Sequence, residues 1–167
     1  MSVSSEALRT TMRLWSCGVT VVSTRYGEDR SGMTASSFTS ISIDPPLILV
    51  CLHKEACTTK LIEQAGVFGV SILSEAQADL SAQFAGYAEL PEGADRFYNV
   101  ETFQRETGAP LLSDAIGWLD CTTYSVQDGG THLIFVGEVV ATGRKDDPVW
   151  PLVYHNRAYR QFVKDQA

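Results

Sequence analysis

Apolar residues recur along this chain at two spacings, and each spacing predicts an element. Leu8, Met12 and Trp15 stand at i, i+4 and i+7, one stripe of a helix. A first helix is therefore predicted over residues 6 to 15, capped by Ser4 or Ser5, with Glu6 near its positive end and its apolar face on the edge of the core. Cys17-Gly18 ends it. Val19-Thr20-Val21-Val22-Ser23-Thr24 is rich in β-branched residues and reads as a strand that turns at Gly27-Glu28-Asp29 into a returning arm.

That arm holds an unusual pattern. From Met33 to Ile43, six of eleven residues carry hydroxyls; Asp44-Pro45-Pro46 follows, and then the apolar run Leu47-Ile48-Leu49-Val50-Cys51-Leu52. In an extended chain Thr34, Ser36, Ser40 and Ser42 share one side with Phe38, while Met33, Ala35, Ile41 and Ile43 share the other with Ser37 and Thr39. Strands do not favour serine, so the cluster has two readings. It is a half-exposed strand facing water, or a site where hydroxyls and backbone N–H groups surround an anion or polyol.

Farther on, His53 to Cys57 reads as a loop, and Thr58 or Thr59 caps a short helix running through Leu61, Ile62 and Ala65 to Gly66. A helix start with two threonines and Lys60 makes a candidate phosphate cradle, simple capping being the other reading. Val67 to Ile72 is a strand. Ser74-x-x-Gln77 has the form of a capping box before a helix with Leu80 and Phe84 four apart. Gly86 to Asp95 has no periodicity and reads as a surface loop, and Tyr98 to Ser113 gives a weak signal ending in a strand entry at Pro110-Leu111-Leu112. A second hairpin pairs Ile116–Val126 with His132–Val140 across Asp128-Gly129-Gly130. Asp146, Asp147, Pro148 and Pro151 break the chain before one or two last short strands between Leu152 and Phe162.

Composition narrows the function classes. At 167 residues with no repeat or linker, residues 1 to 167 make one domain, large enough for a real core. Thirteen basic against twenty acidic residues give a net charge of −7 without any basic cluster, which argues against nucleic acid. Glu6, Arg9 and Arg13 interrupt any leader-like apolar run, and no stretch approaches a membrane span, so the expected location is the cytoplasm with no membrane partner. Cys17, Cys51, Cys57 and Cys121 contain no C-x-x-C pair, and His53, His132 and His155 are widely separated. No metal site is expected, and the thiols are expected reduced and mostly buried. No G-x-G-x-x-G follows a strand, which excludes a Rossmann nicotinamide site.

The string G-M-T-A-S-S-F-T-S-I-S-I-D-P-P from Gly32 to Pro46 resembles the signature of the short-chain flavin reductases, the small components of two-component flavin-dependent monooxygenases. Further matches are the f-x-V-x-I-L…L-s-x-x-F-A pattern from Phe68 to Ala85, Asp95-Arg96-Phe97, and the tail from Pro151 to Tyr159, which resembles P-L-x-Y-x-x-x-x-Y. Gly130-Thr131-His132 resembles the family's G-D-H element, with Thr131 where the family commonly has aspartate.

The resemblance implies a mainly β fold, a split β-barrel with a few short flanking helices, homodimeric, with flavin near the subunit interface. It implies FAD or FMN as the flavin, NADH or NADPH as the reductant, and a separate monooxygenase that receives reduced flavin. A flavoprotein that retains FMN, as an oxidase, a cofactor reductase or a non-catalytic flavin binder, is the alternative. By resemblance the cofactor-binding residues are Met33, Thr34, Ala35, Ser36, Ser37, Ser40, Cys51, Leu52, His53, Thr58, Thr59, Phe84, Ala85 and Tyr154, with Thr58 and Thr59 at the flavin phosphate. His132 is the candidate catalytic residue, beside the nicotinamide; a strand-end histidine bonded to backbone is the structural alternative. Arg96 is read as a partner of an acidic neighbour ahead of a phosphate ligand; in the tail, Tyr154 and Tyr159 are candidate walls of the ligand pocket and Arg157 a candidate pyrophosphate contact, with plain strand packing the alternative, and the partner of Lys60 is left open.

Overall fold

The computed structural model describes residues 2–146 and 149–162; Asp147 and Pro148 of the expected break lie outside them. In order, the chain forms α1 (Ser5–Met12), β1 (Cys17–Gly18), β2 (Thr20–Tyr26), β3 (Asp29–Ala35), β4 (Phe38–Ser42) and β5 (Leu47–His53). It continues through α2 (Cys57–Ala65), β6 (Val67–Ile72), α3 (Ala78–Ala85), β7 (Thr102–Phe103) and β8 (Leu111–Leu112). The last elements are β9 (Gly117–Gly129), β10 (His132–Arg144), β11 (Val153–His155) and β12 (Ala158–Arg160).

Seven strands form one antiparallel sheet in the order β3-β2-β6-β9-β10-β5-β4. Its two edges, β3 and β4, are consecutive in the chain and separated only by Ser36-Ser37, so the sheet must curl until they meet. The Ser37 carbonyl accepts from the Cys51 N–H at 3.1 Å, and β3 lies against β5. Closure here comes from chain continuity, which leaves a gap in the ladder at the corner. Bulges in the β9–β10 pair, between Val136 and Gly137 and between Val139 and Ala141, add the curvature.

The interior is apolar and tightly filled. Val22, Val50, Leu52, Phe68, Val70, Cys121 and Phe135 are buried in one cluster, with Phe68 and Phe135 edge to face at 6.4 Å between centroids. A Cβ on Gly137 would stand 2.5 Å from the Phe68 ring, so the glycine is what admits that ring. Successive residues Val21 and Val22 face different cores, because a second cluster of Val21, Leu73, Phe84, Phe97, Leu112 and Leu152 fills the space outside the barrel wall. The polar residues of β2 are satisfied in place: Thr20 Oγ1 donates to the Ala35 carbonyl at 2.8 Å, Thr24 Oγ1 to that of Val67 at 2.6 Å, and Ser23 Oγ to that of Pro110.

Four expectations change. The hydroxyl-rich stretch is not one strand: Ser36-Ser37 forms a corner between two strands at opposite sheet edges, and Ile41 and Ile43 on the expected apolar side are 49% and 86% exposed. The first helix stops at Met12 and buries nothing, with Trp15 69% exposed, although Ser4 does cap it by accepting from the Ala7 N–H. Helix α2 is preceded by Ala56 without a side-chain cap, because both threonine hydroxyls point elsewhere. Of the four free thiols only Cys121 is fully buried, Cys17 and Cys51 are half-buried, and Cys57 is exposed. Half the capping box forms: Gln77 Oε1 accepts from the Ser74 N–H at 2.8 Å ahead of α3.

Candidate functional site

Nine of the fifteen predicted site residues fall in three places. The first is a groove of about 430 Å³ between α1, the corner and the β11–β12 hairpin, lined by Arg13, Trp15, Ser36, Ser37, Tyr154 and Arg157 among others. It shares Ser36 and Tyr154 with a smaller cavity of about 130 Å³, where Thr34, Ala85 and Tyr159 line the wall. Ser37 Oγ donates to the Cys51 carbonyl at 2.6 Å and Thr34 Oγ1 to the Ser81 carbonyl at 2.7 Å, which fixes both hydroxyls. Ser36 lines the groove, is exposed, and makes no such bond among the described residues. Tyr154 and Tyr159 stand edge to face at 5.7 Å, and the Tyr159 hydroxyl bonds Ser81 Oγ at 2.8 Å.

The second place is a cavity of about 450 Å³ at the start of α2, lined by Arg30, Ser31, Gly32, Cys57, Thr58 and Arg96 among others. The first N–H groups of α2 have no carbonyl partner within the helix and carry its positive end. Thr58, 2% exposed, shares a 2.8 Å hydrogen bond with Ser31 Oγ, so one of these hydroxyls retains a proton to offer. Arg30 is paired with Asp95 through Nε at 2.7 Å. Arg96 donates to the Phe84 carbonyl at 2.6 Å and more weakly to that of Gly32. The acidic partner expected for Arg96 therefore belongs to Arg30, and Arg96 ties carbonyls together. Lys60 turns to Glu55 at 2.8 Å, an exposed pair whose shared hydrogen bond lowers the Glu55 carboxyl and raises the lysine.

The third place is a half-open strip on β5 and β10. His53 and His132 are register partners whose rings meet edge to face at 5.3 Å, with Cys51 and Ile134 paired two residues along. Burial pushes the Cys51 thiol above its ordinary range, which makes it a poor nucleophile. Thr131 Oγ1 bonds His132 Nδ1 at 2.9 Å, so the residue that replaces the family's aspartate still orients the ring, without adding a charge. The turn is held by Lys54, whose Nζ pairs with Asp128 at 2.6 Å and whose N–H donates to the Thr131 carbonyl. The Asp128 carboxyl lies below its usual range because it accepts from Lys54 and from the Gly130 N–H. Strand spacing puts His132 about 12 Å from Ser37 along the sheet, and neither histidine lines the cavities above.

The remaining predicted residues sit apart from these openings. Ala35, Leu52, Thr59 and Phe84 are buried, and the Thr59 hydroxyl donates to the His53 carbonyl at 2.8 Å, so any contact from these positions runs through backbone atoms. Met33 packs against the barrel core, and Ser40 is exposed on β4 opposite Ile48. Sequence reasoning missed Arg13, Trp15, Arg30 and Ser31, which only the fold brings to the cavities. Among the described residues no cluster of metal-ligating side chains occurs, and no helix is long and apolar enough to cross a membrane.

A seven-stranded antiparallel barrel, open at one corner and lined there by hydroxyls, defines the class of split-barrel flavin reductase folds. The flavin reductase like domain model matches residues 12–162, so the chain belongs to that family. It is 37% identical over 153 residues to an NADH-dependent FAD reductase of Streptomyces globisporus, covering 89% of this chain and 80% of that protein. Identity is 36% to the reductase component of 4-hydroxyphenylacetate 3-monooxygenase of Thermus thermophilus, over 95% and 97% of the two chains. A solved NADH:FAD oxidoreductase of Streptomyces globisporus, in complex with NAD and FAD fragments, superposes with a TM-score of 0.87 at 32% identity, over 100% of this chain and 99% of that one.

Proposed function

We propose that this protein is an NADH-dependent flavin reductase that passes a hydride from the nicotinamide to FAD or FMN and releases the reduced flavin to a separate flavin-dependent monooxygenase. The observation that carries this reading is the Ser36-Ser37 corner: it sets the exposed Ser36 and a break in the backbone ladder beside a groove, in a chain whose relatives are named as flavin reductases. The bound flavin supplies the electron-accepting ring; the protein has only to hold two flat rings about 3 to 3.5 Å apart in the reactive orientation. No nucleophile or general base is needed for that transfer.

The chain's donors suit a flavin. Ser36 and the corner backbone face the polar edge of the ring, Tyr154 walls it, and the start of α2 with Thr58 and Ser31 receives its phosphate. That cradle serves FMN and FAD alike. His132, oriented by Thr131, is the residue for the nicotinamide, and NADPH is the secondary reductant.

A homodimer completes the site. The unburied face of α1, with Leu8 and Met12, the exposed Trp15 just beyond it, and the half-open His53–His132 strip are surfaces that a second copy would cover. Free thiols and the acidic charge fit a cytoplasmic enzyme. The test is anaerobic mixing of the protein, NADH and free FAD. Catalysed loss of the visible flavin band is expected, and a rate no higher than the protein-free control with either nicotinamide rejects the reading.

A further inference from the structure

An exposed histidine at the end of a strand is free to sample several rotamers, yet His53 is held. Its carbonyl accepts from the Ala56 N–H at 3.0 Å and from Thr59 Oγ1 at 2.8 Å, which folds the residues after β5 into a turn. Inside that turn the Glu55 N–H donates to His53 Nδ1 at 3.2 Å. A backbone amide can only donate, so Nδ1 is the bare nitrogen of the ring and the proton sits on Nε2. The turn thereby fixes both the rotamer and the tautomer of an exposed side chain.

The ring so fixed meets His132. The two residues are register partners across β5 and β10, and their rings stand edge to face at 5.3 Å with 78° between the planes. His132 has a second hold, since its Nδ1 bonds Thr131 Oγ1 at 2.9 Å. The two turns that carry the histidines are also tied to each other: the Lys54 N–H donates to the Thr131 carbonyl at 3.1 Å, and Lys54 Nζ pairs with Asp128 at 2.6 Å. Glu55, the other charged residue of the first turn, pairs with Lys60 at 2.8 Å. The charges beside the rings are thus matched to one another. With Nδ1 of each ring bonded, Nε2 of the half-buried His132 is the atom left to meet a ligand.

We propose that His53 is a positioning residue for His132: its locked ring is a wall that, together with Thr131, leaves the His132 ring one orientation, with Nε2 toward the nicotinamide. His53 then touches no flavin of its own and acts through the neighbouring ring. The identity of the ligand rests on the flavin-reductase reading.

The test is a pair of substitutions made in two backgrounds of the full chain. His53→Ala removes the wall, and His53→Phe keeps a flat ring without its nitrogen atoms. His53→Ala should lower kcat with NADH about three- to tenfold, the weight of one edge-to-face contact, while the Kd for FMN stays within about twofold. His53→Phe should restore most of the rate. In a His132→Ala background His53→Ala should have no further effect, because a residue that acts through another loses its influence with it. A loss that persists without His132, or an FMN affinity that falls along with the rate, overturns the positioning role and gives His53 a ligand contact of its own. Side-chain nitrogen-15 spectra of the histidines need no turnover. His53 Nδ1 should be unprotonated, and the His132 signals should move in His53→Ala; His132 signals identical to those of the wild type overturn the proposal even in a protein that reduces no flavin. Absence of flavin reduction with the signals moving as expected refutes the enzymatic reading instead, and the ring contact stands.

Discussion

Thr58 offers a clean test of the phosphate cradle. Its hydroxyl is 2% exposed, lies 2.8 Å from Ser31 Oγ and lines the cavity at the start of α2. Thr58→Val removes the hydroxyl and keeps the branched shape, so the helix and its packing survive at a stability cost of about 1 kcal/mol for the lost hydrogen bond. If one hydroxyl of the Thr58–Ser31 pair donates to a flavin phosphate, the variant loses a bond to a charged acceptor, about 1.5 to 3 kcal/mol. That corresponds to a roughly 10- to 150-fold rise in Kd. Titration of FMN and of riboflavin separates the effects, since riboflavin has the ring and no phosphate. FMN affinity should fall by that factor and riboflavin affinity should hold. Equal losses for both ligands, or no loss for FMN, would refute the placement of the phosphate.

Other consequences can be checked in the same preparation. Gly137→Ala puts a Cβ against the Phe68 ring and should destabilise the fold by about 1 to 3 kcal/mol in denaturant unfolding, an unchanged midpoint contradicting the packing argument. His132→Ala should reduce the NADH-dependent rate more than flavin affinity, and an unchanged rate removes the residue from the site. Leu8→Glu on α1 should shift the protein from dimer to monomer in light scattering, if α1 supplies the interface. The Asp128 carboxyl is held below its ordinary value of 3.8, so the stability it contributes is present above that value and disappears as pH falls through the lowered one. The small advantage of the wild type over Asp128→Asn at neutral pH should therefore vanish in strong acid.

Both major hairpins were legible in the sequence because their signals are local: the β-branched run of β2 before the turn at Gly27, and the strand-forming runs on both sides of Asp128-Gly129-Gly130, mark strand and turn without help from the rest of the chain. The hydroxyl stretch was legible as a special segment, though not as a corner. The two serines that break the strand are the same residue type as those within it, and only closure of the sheet decides between them. Helix α1 showed a true apolar stripe, yet periodicity does not tell whether the face meets its own core or another chain. Thr58 and Thr59 looked like caps because capping is what threonine does at a helix start. Tertiary partners at Ser31 and His53 took both hydroxyls instead. The groove beside α1 brings Arg13 and Arg157 together from opposite ends of the chain, a grouping no spacing rule detects. The weak region from Tyr98 to Ser113 is ordered by a distant clasp, in which Asp120 accepts from the Thr107 N–H at 2.9 Å and from its hydroxyl.

The proposed function requires a flavin ring at the corner after β3 and its phosphate at the start of α2. An experimental structure of the protein with FMN measures this directly. The ring should lie against residues 33 to 37 and the phosphate within hydrogen-bond distance of Thr58 or Ser31; a flavin bound away from both places rules the placement out.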